Sequence, residues 1–339
     1  MQILLTTILC KSGLSTHVWD LANSLTARGI TVSIGLQTIS DVNYEKYGPW
    51  LERINHLPYF FYKTNDELLY RTAQLQPNLV HAHSPLVFSS SVHAAIRSSV
   101  PLIITLHSPF PLEKWYPLTL LTARWIIAVG PIQKESVPSY SSKTVVIPNG
   151  IDLTRYQPKS SVPNSHLKLC WFGRVHGAAA EGITHLNQAL HLVRRSGTAL
   201  SAYFVGSGPD AAKDAFINIG WLNDPVSFLQ ETQVTFGHGR SLREAMACGS
   251  IGYLLGAGYG GRVTEEFIRT YQHLDAFPQY KLAPAKPELL AAHILELIDH
   301  PEMIPHLQKE ARQMALQYFD LEDMTDSILS LYSETISRS

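Results

Sequence analysis

The feature that most constrains this chain is an alternation repeated along its 339 residues. Strand-length runs that are apolar at nearly every position are followed by a glycine or polar turn, then by a segment with apolar groups at helical spacing. QILLTTIL (2–9) leads through KSG into HVWDLANSLTARG (17–29), Gly29 stands where a helix-ending C′ glycine belongs, and ITVSIGL (30–36) supplies the next strand. The cycle recurs in NLVHAH (78–83) with the helical SSSVHAAIRSS (89–99), then in PLIITLHS (101–108), WIIAVG (125–130) and TVVIPNG (144–150). A strand apolar on both faces must be covered on both, so the pattern predicts an α/β chain whose parallel sheets lie between layers of helices.

A polar Pro/Ser-rich stretch, RYQPKSSVPNSHLK (155–168), interrupts the pattern, and the alternation then restarts with LKLCWFGR, THLNQALHLVRRSG, LSAYFVGSGP, VTFGHGRSLREAMACG and SIGYLLGAGYGG. Two doubly wound domains follow, at 1–154 and 168–315, with a linker over 155–167; the length suffices for two separate cores. From Pro287 onward the chain reads as helical, and residues 316–339 are expected to return as a helix onto the first domain. Ligands of doubly wound sheets sit at the carboxyl ends of the strands, so a cleft between the domains is the expected site.

Composition narrows the function. With 27 basic and 28 acidic residues and only 16% charged, the chain has no general electrostatic grip on nucleic acid, so any anion must be bound locally. Cys10, Cys170 and Cys248 are far apart, odd in number and free of C-x-x-C spacing, which argues against a disulfide framework and for a reducing cytoplasm. The apolar start, about nine residues before Lys11, is too short to span a bilayer and reads as a buried first strand.

Glycine turns follow strands at SGLSTH (12–17), GSGP (206–209), GHGR (237–240) and GYGGR (258–262), with Arg174 ending the strand FGR. Glycines let backbone amides approach a phosphate, and an arginine fork donates two parallel hydrogen bonds to its oxygens. None of these turns is a P-loop, and no G-x-G-x-x-G follows the first strand, which disfavours an NTPase and a dinucleotide dehydrogenase. Histidines gather at strand ends, His81 and His83 in VHAHSP and His107 in TLHSPF. His-x-His lacks a third ligand at characteristic spacing, so no metal is expected, and there is no D-x-D to hold a divalent ion between phosphates. Glu244, read as lying in the first turn of the helix LREAMAC, has a carboxylate suited to two ribose hydroxyls, whereas Arg243 is read as a surface residue.

SGLSTHVWDLANSLTARGITVSI (12–34), VVIPNGID (145–152), FGR, FVGSGP and REAMACGSIG (243–252), in this order, resemble the retaining glycosyltransferases of family 4, and the match runs over nearly the whole chain. The resemblance implies the GT-B architecture of two facing Rossmann-like domains. It implies metal-independent transfer of a sugar from a UDP- or GDP-sugar to an acceptor hydroxyl, with no cofactor. Arg174 then contacts the diphosphate, Glu244 the ribose and Gly13 the donor phosphates, with Gly206, Gly208, Gly239, Arg240 and Ser241 completing the donor side. His107 stands near the reacting carbon, and His83 and His17 fall on the acceptor side. The acceptor is a sugar, a lipid-linked or a small molecule; aromatic stretches 45–63 and 108–121, read as loops, suit an apolar acceptor or contact with the inner face of a membrane.

Two positions depart from the family pattern. Glu181 stands where a lysine before glycine is expected, and Phe236 where a glutamate stands eight positions before Glu244. They motivate a second reading, a degenerate GT-B protein that binds nucleotide or an enzyme partner without catalysing transfer. Arg240 restores one positive charge.

Overall fold

The computed structural model describes residues 1–159, 166–175, 177, 179–208 and 213–338. It divides into two compact units, one of residues 1–150 with 321–339 and one of residues 151–320. Of the expected linker 155–167, Tyr156 is buried in the second unit's core, Leu167 opens a strand, and 160–165 lie outside the described residues.

The first unit is built on seven strands, β1 (Gln2–Ile8), β2 (Thr31–Gln37), β3 (Tyr59–Tyr62), β4 (Leu79–Ala82), β5 (Leu102–Leu106), β6 (Trp125–Ala128) and β7 (Thr144–Val146). All run parallel, in the order β3-β2-β1-β4-β5-β6-β7. The order reverses between β1 and β4, which opens a crevice at their carboxyl ends. Leu4, Val80, Ile104 and Ile126 fill one core under the helix Pro85–Arg97.

The final helix, Leu321–Ser337, belongs to this unit. Arg28 pairs with Glu322 and Asp326, each at 2.8 Å, and buried Tyr332 reaches His81.

The second unit has β8 (Leu167–Phe172), β9 (Leu200–Val205), β10 (Ile217–Gly220), β11 (Val234–Gly237), β12 (Ile251–Leu255) and β13 (Tyr259–Arg262), in the order β10-β9-β8-β11-β12-β13. Only the edge strand β13 is antiparallel, and the order reverses between β8 and β11. Trp171, Phe204 and Phe236 are enclosed in its core, Phe236 stacked on Tyr253 with ring centroids 5.0 Å apart. Both units are thus doubly wound sheets of the GT-B type.

The two stretches read as aromatic loops are ordered elements instead. Residues 45–63 contain most of the helix Tyr44–Leu51 and all of β3, and residues 108–121 contain the helix Leu112–Trp115 and most of Pro117–Thr122. Tyr and Phe favour strands, and YFFY pairs with β2 as the sheet edge. Among the described residues no helix is long and apolar enough to cross a membrane. The three cysteines are free.

Candidate functional site

In the first unit, the turn after β1 passes into the helix Gly13–Ala27. Ser12 caps it by accepting a hydrogen bond from the Ser15 amide at 3.3 Å, so exposed Gly13 presents the helix's first turn. The same helix carries His17. Parallel pairing puts the ends of β4 and β5 side by side, which brings His83 and His107 together. The ring centroids of His17 lie 5.4 Å from His83 and 4.9 Å from His107, and those of His83 and His107 are 5.8 Å apart. All three sequence-predicted histidines therefore meet at the strand-order reversal.

Behind them His81 accepts or donates at both nitrogens, to Tyr332 Oη at 2.6 Å and Thr105 Oγ1 at 2.7 Å, and its ring lies 3.9 Å from that of His83. Burial pushes His81 down to about 3 and His107 down to about 4. Burial, then the neighbouring rings His81, His17 and His107, also drives His83 well below its ordinary value. Neutral imidazoles follow at any physiological pH. Both ring nitrogens of His83 and Nε2 of His107 are buried with no hydrogen-bond partner among the described residues.

In the second unit three turns converge. Gly173 and Gly206, both with positive φ, let the loop after β8 lie against the loop after β9. A Cβ on Gly206 would stand 1.9 Å from the Gly173 carbonyl oxygen, and one on Gly208 2.4 Å from that of Val175. The Val175 amide donates to Ser207 O at 2.8 Å, locking the loops together. A Cβ on Gly173 would in turn meet Ser241 Oγ at 3.0 Å, which ties both loops to the turn after β11. Exposed Arg174 projects from this junction and makes no salt bridge among the described residues.

The helix after β11 runs Gly239–Ala247, so Glu244 is its sixth residue and not in the first turn as the sequence reading has it. Starting at Gly239 places Arg240, Arg243, Glu244 and Ala247 on one face. Arg240 Nε donates to Glu244 Oε1 at 2.8 Å, with both side chains under a tenth exposed. Arg243, expected at the surface, is 3% exposed: its guanidinium lies over the Phe319 ring at 5.6 Å, and burial holds its pKa below the ordinary value. Two groups were missed. His238, half-buried at the helix N-cap, is driven down by desolvation of its ring; Asp275 opposes that shift and Arg174 adds to it. A Cβ on Gly239 would stand 2.8 Å from Asp275 Oδ1. The G-x-G of GHGR is the signal for this close approach.

The two departures have distinct surroundings. Glu181 is exposed in the first turn of the helix Ala179–Arg195, beside Gly182, whose Cβ would strike the Gly256 backbone. Phe236 is wholly enclosed.

Residues 11–155 match the family described as Glycosyltransferase Family 4. The match spans less than half of the chain, nearly all of it within the first unit. A search of curated proteins finds no match to the chain. Among solved structures, the chain resembles a glycosyltransferase from Rickettsia africae at TM-score 0.75 and 15% identity, over 100% of this chain and 99% of that one. It resembles Anabaena HepE, solved with UDP and glucose, at TM-score 0.75 and 18% identity over 98% and 99%. A structure from Listeria monocytogenes described as a UDP-N-acetylglucosamine 2-epimerase matches at TM-score 0.62 and 13% identity over 97% and 94%. At these identities the likenesses establish the fold.

Proposed function

We propose that the protein is a retaining, metal-independent glycosyltransferase that moves a sugar from a UDP- or GDP-sugar to an acceptor hydroxyl. The observation that carries this reading is the convergence of three glycine turns on adjacent strands around exposed Arg174. HepE, of the same fold, was solved with UDP and with UDP-glucose, which supports a uridine nucleotide donor.

On this reading the second unit holds the donor. Arg174, with the turn amides near Gly206, Gly208, Gly239 and Ser241, neutralises the diphosphate, and Glu244, oriented by Arg240, takes the ribose hydroxyls. The bond from the anomeric carbon to the phosphate oxygen breaks as the acceptor oxygen bonds to the same face, and the departing phosphate oxygen takes the acceptor proton. Stabilising that oxygen is the protein's largest task, and fixed cations and amides do it without an ion. In the first unit, Gly13 approaches the donor phosphates, neutral His107 hydrogen-bonds the transferred sugar, and His17 and His83 line the acceptor side. Exposed Trp115, Leu118 and Leu121 support an apolar or lipid-linked acceptor at a membrane's inner face.

One observation favours a second reading, in which nucleotide is bound but not turned over. Phe236 offers no carboxylate and is enclosed, and Glu181 offers no cation. Release of nucleoside diphosphate from a panel of UDP- and GDP-sugars, with sugar acceptors supplied, decides. The transferase reading requires acceptor-dependent release from at least one donor; tight donor binding with no release from any would give the protein to the second reading.

A further inference from the structure

The sequence offers His83 and His81 as a His-x-His pair without a third ligand. The fold instead joins His83 to two histidines from elsewhere in the sequence. His17, His83 and His107 each present a ring nitrogen within 4.8 Å of the other two. We propose that these three histidines form a binding site for a borderline divalent transition ion of the zinc class.

The chemistry of the donors selects the ion. Three imidazoles and no carboxylate suit zinc, cobalt or nickel and do not suit magnesium or calcium, which take oxygen ligands. Three protein ligands leave a fourth position open to an exchangeable oxygen.

Burial supports ligation over solvation. His83 is completely enclosed, and neither of its ring nitrogens has a hydrogen-bond partner among the described residues; Nε2 of His107 is in the same state. A buried polar nitrogen left unmade costs about 1–3 kcal/mol, and a bound ion would relieve that cost.

Geometry asks for a small adjustment. A tetrahedral ion with bonds of about 2.0–2.1 Å needs ligand nitrogens about 3.3 Å apart. Closing from the present spacing takes ring rotations about χ2, whose wells are broad. Each ligand stands on rigid structure: His17 on a capped helix, His83 and His107 at the ends of paired strands. The His81 ring, fixed by Tyr332 and Thr105, packs against His83 at a tilt of 41° and backs it.

The site uses only first-unit residues and does not rest on the transferase reading. An ion there would engage the His107 ring that transfer assigns to the sugar, so the two uses compete.

Cobalt(II) titration of the full chain, stripped of metal by chelator, reads the site directly. One equivalent should bind with the intense visible bands of four-coordinate cobalt, zinc should displace it, and zinc should raise the melting temperature. His17→Gln and His83→Gln should each weaken binding by about 10–100-fold and abolish the zinc-induced shift. His56→Gln, an exposed position away from the cluster, should bind as wild type does. Should His83→Gln fail to fold, the partly buried His107→Gln takes its place. Weak six-coordinate bands only, no zinc shift in the wild type, or binding unaltered in folded His83→Gln or His107→Gln would overturn the site.

Discussion

The Arg240–Glu244 pair separates stability from nucleotide recognition. Both side chains are under a tenth exposed and joined at 2.8 Å within one helix. Glu244→Ala strips the carboxylate from a buried guanidinium, which costs about 3–5 kcal/mol. For a unit of this size each kcal/mol moves the melting temperature by about 2–4 °C, so the variant should melt roughly 10 °C lower. Arg240→Met with Glu244→Leu removes both charges and should recover most of that loss, because a well-packed apolar pair is often neutral or stabilising against a buried ion pair. Nucleotide affinity should behave differently. Charge-assisted hydrogen bonds to ribose hydroxyls are worth about 1.5–3 kcal/mol, so both variants should lose at least about 10-fold in UDP or GDP binding, the double variant included. Calorimetric melting beside isothermal titration provides the four numbers. A double variant as unstable as the single would refute the ion-pair argument, and a stable double variant with undiminished affinity would remove Glu244 from the site.

His107→Ala should lower turnover by roughly 100-fold while donor affinity is largely kept; unchanged turnover in a nucleoside diphosphate release assay would contradict its role. Gly206→Ala drives a Cβ to 1.9 Å from the Gly173 carbonyl oxygen, so the loop carrying Arg174 must move, and a shift of about 1 Å should cost about 100-fold in kcat/KM; wild-type kinetics would show that the junction does not position the donor. Acid should weaken the first unit. His81 and His107 have folded values of about 3 and about 4, depressed from 6.5, so their stabilising effect is complete above pH 6.5 and is lost as pH falls toward those values. The loss amounts to about 2 kcal/mol per histidine by pH 5, and a urea midpoint constant from pH 7.5 to 5 would contradict their burial as neutral rings.

The two sheets were legible because buried parallel strands leave unbroken apolar runs, as in QILLTTIL and PLIITLHS, that no other element of that length requires. The edge strand β3 was not. YFFY is flanked by a proline and half exposed, so its pattern did not distinguish it from an aromatic loop. The position of each site motif was legible because each follows a strand, and the fold places all such turns at the carboxyl edge. What was hidden was how side chains pair. The helix after β11 starts at Gly239, three residues before the position read from LREAMAC, and that offset turned Arg243 from a buried residue into an apparent surface one. His17 meets His83 and His107 only because β1, β4 and β5 are neighbours in the sheet, an order that periodicity along the chain does not contain.

On the proposed function, fixed guanidinium and amide groups of the second unit neutralise a sugar nucleotide's pyrophosphate. Titration calorimetry of UDP and GDP in excess chelator, on the wild type and on Arg174→Ala, tests it most directly. The wild type should bind one of them without any divalent ion, and the variant should lose at least about 10-fold. Binding that requires a divalent ion, or that Arg174→Ala leaves intact, would contradict it.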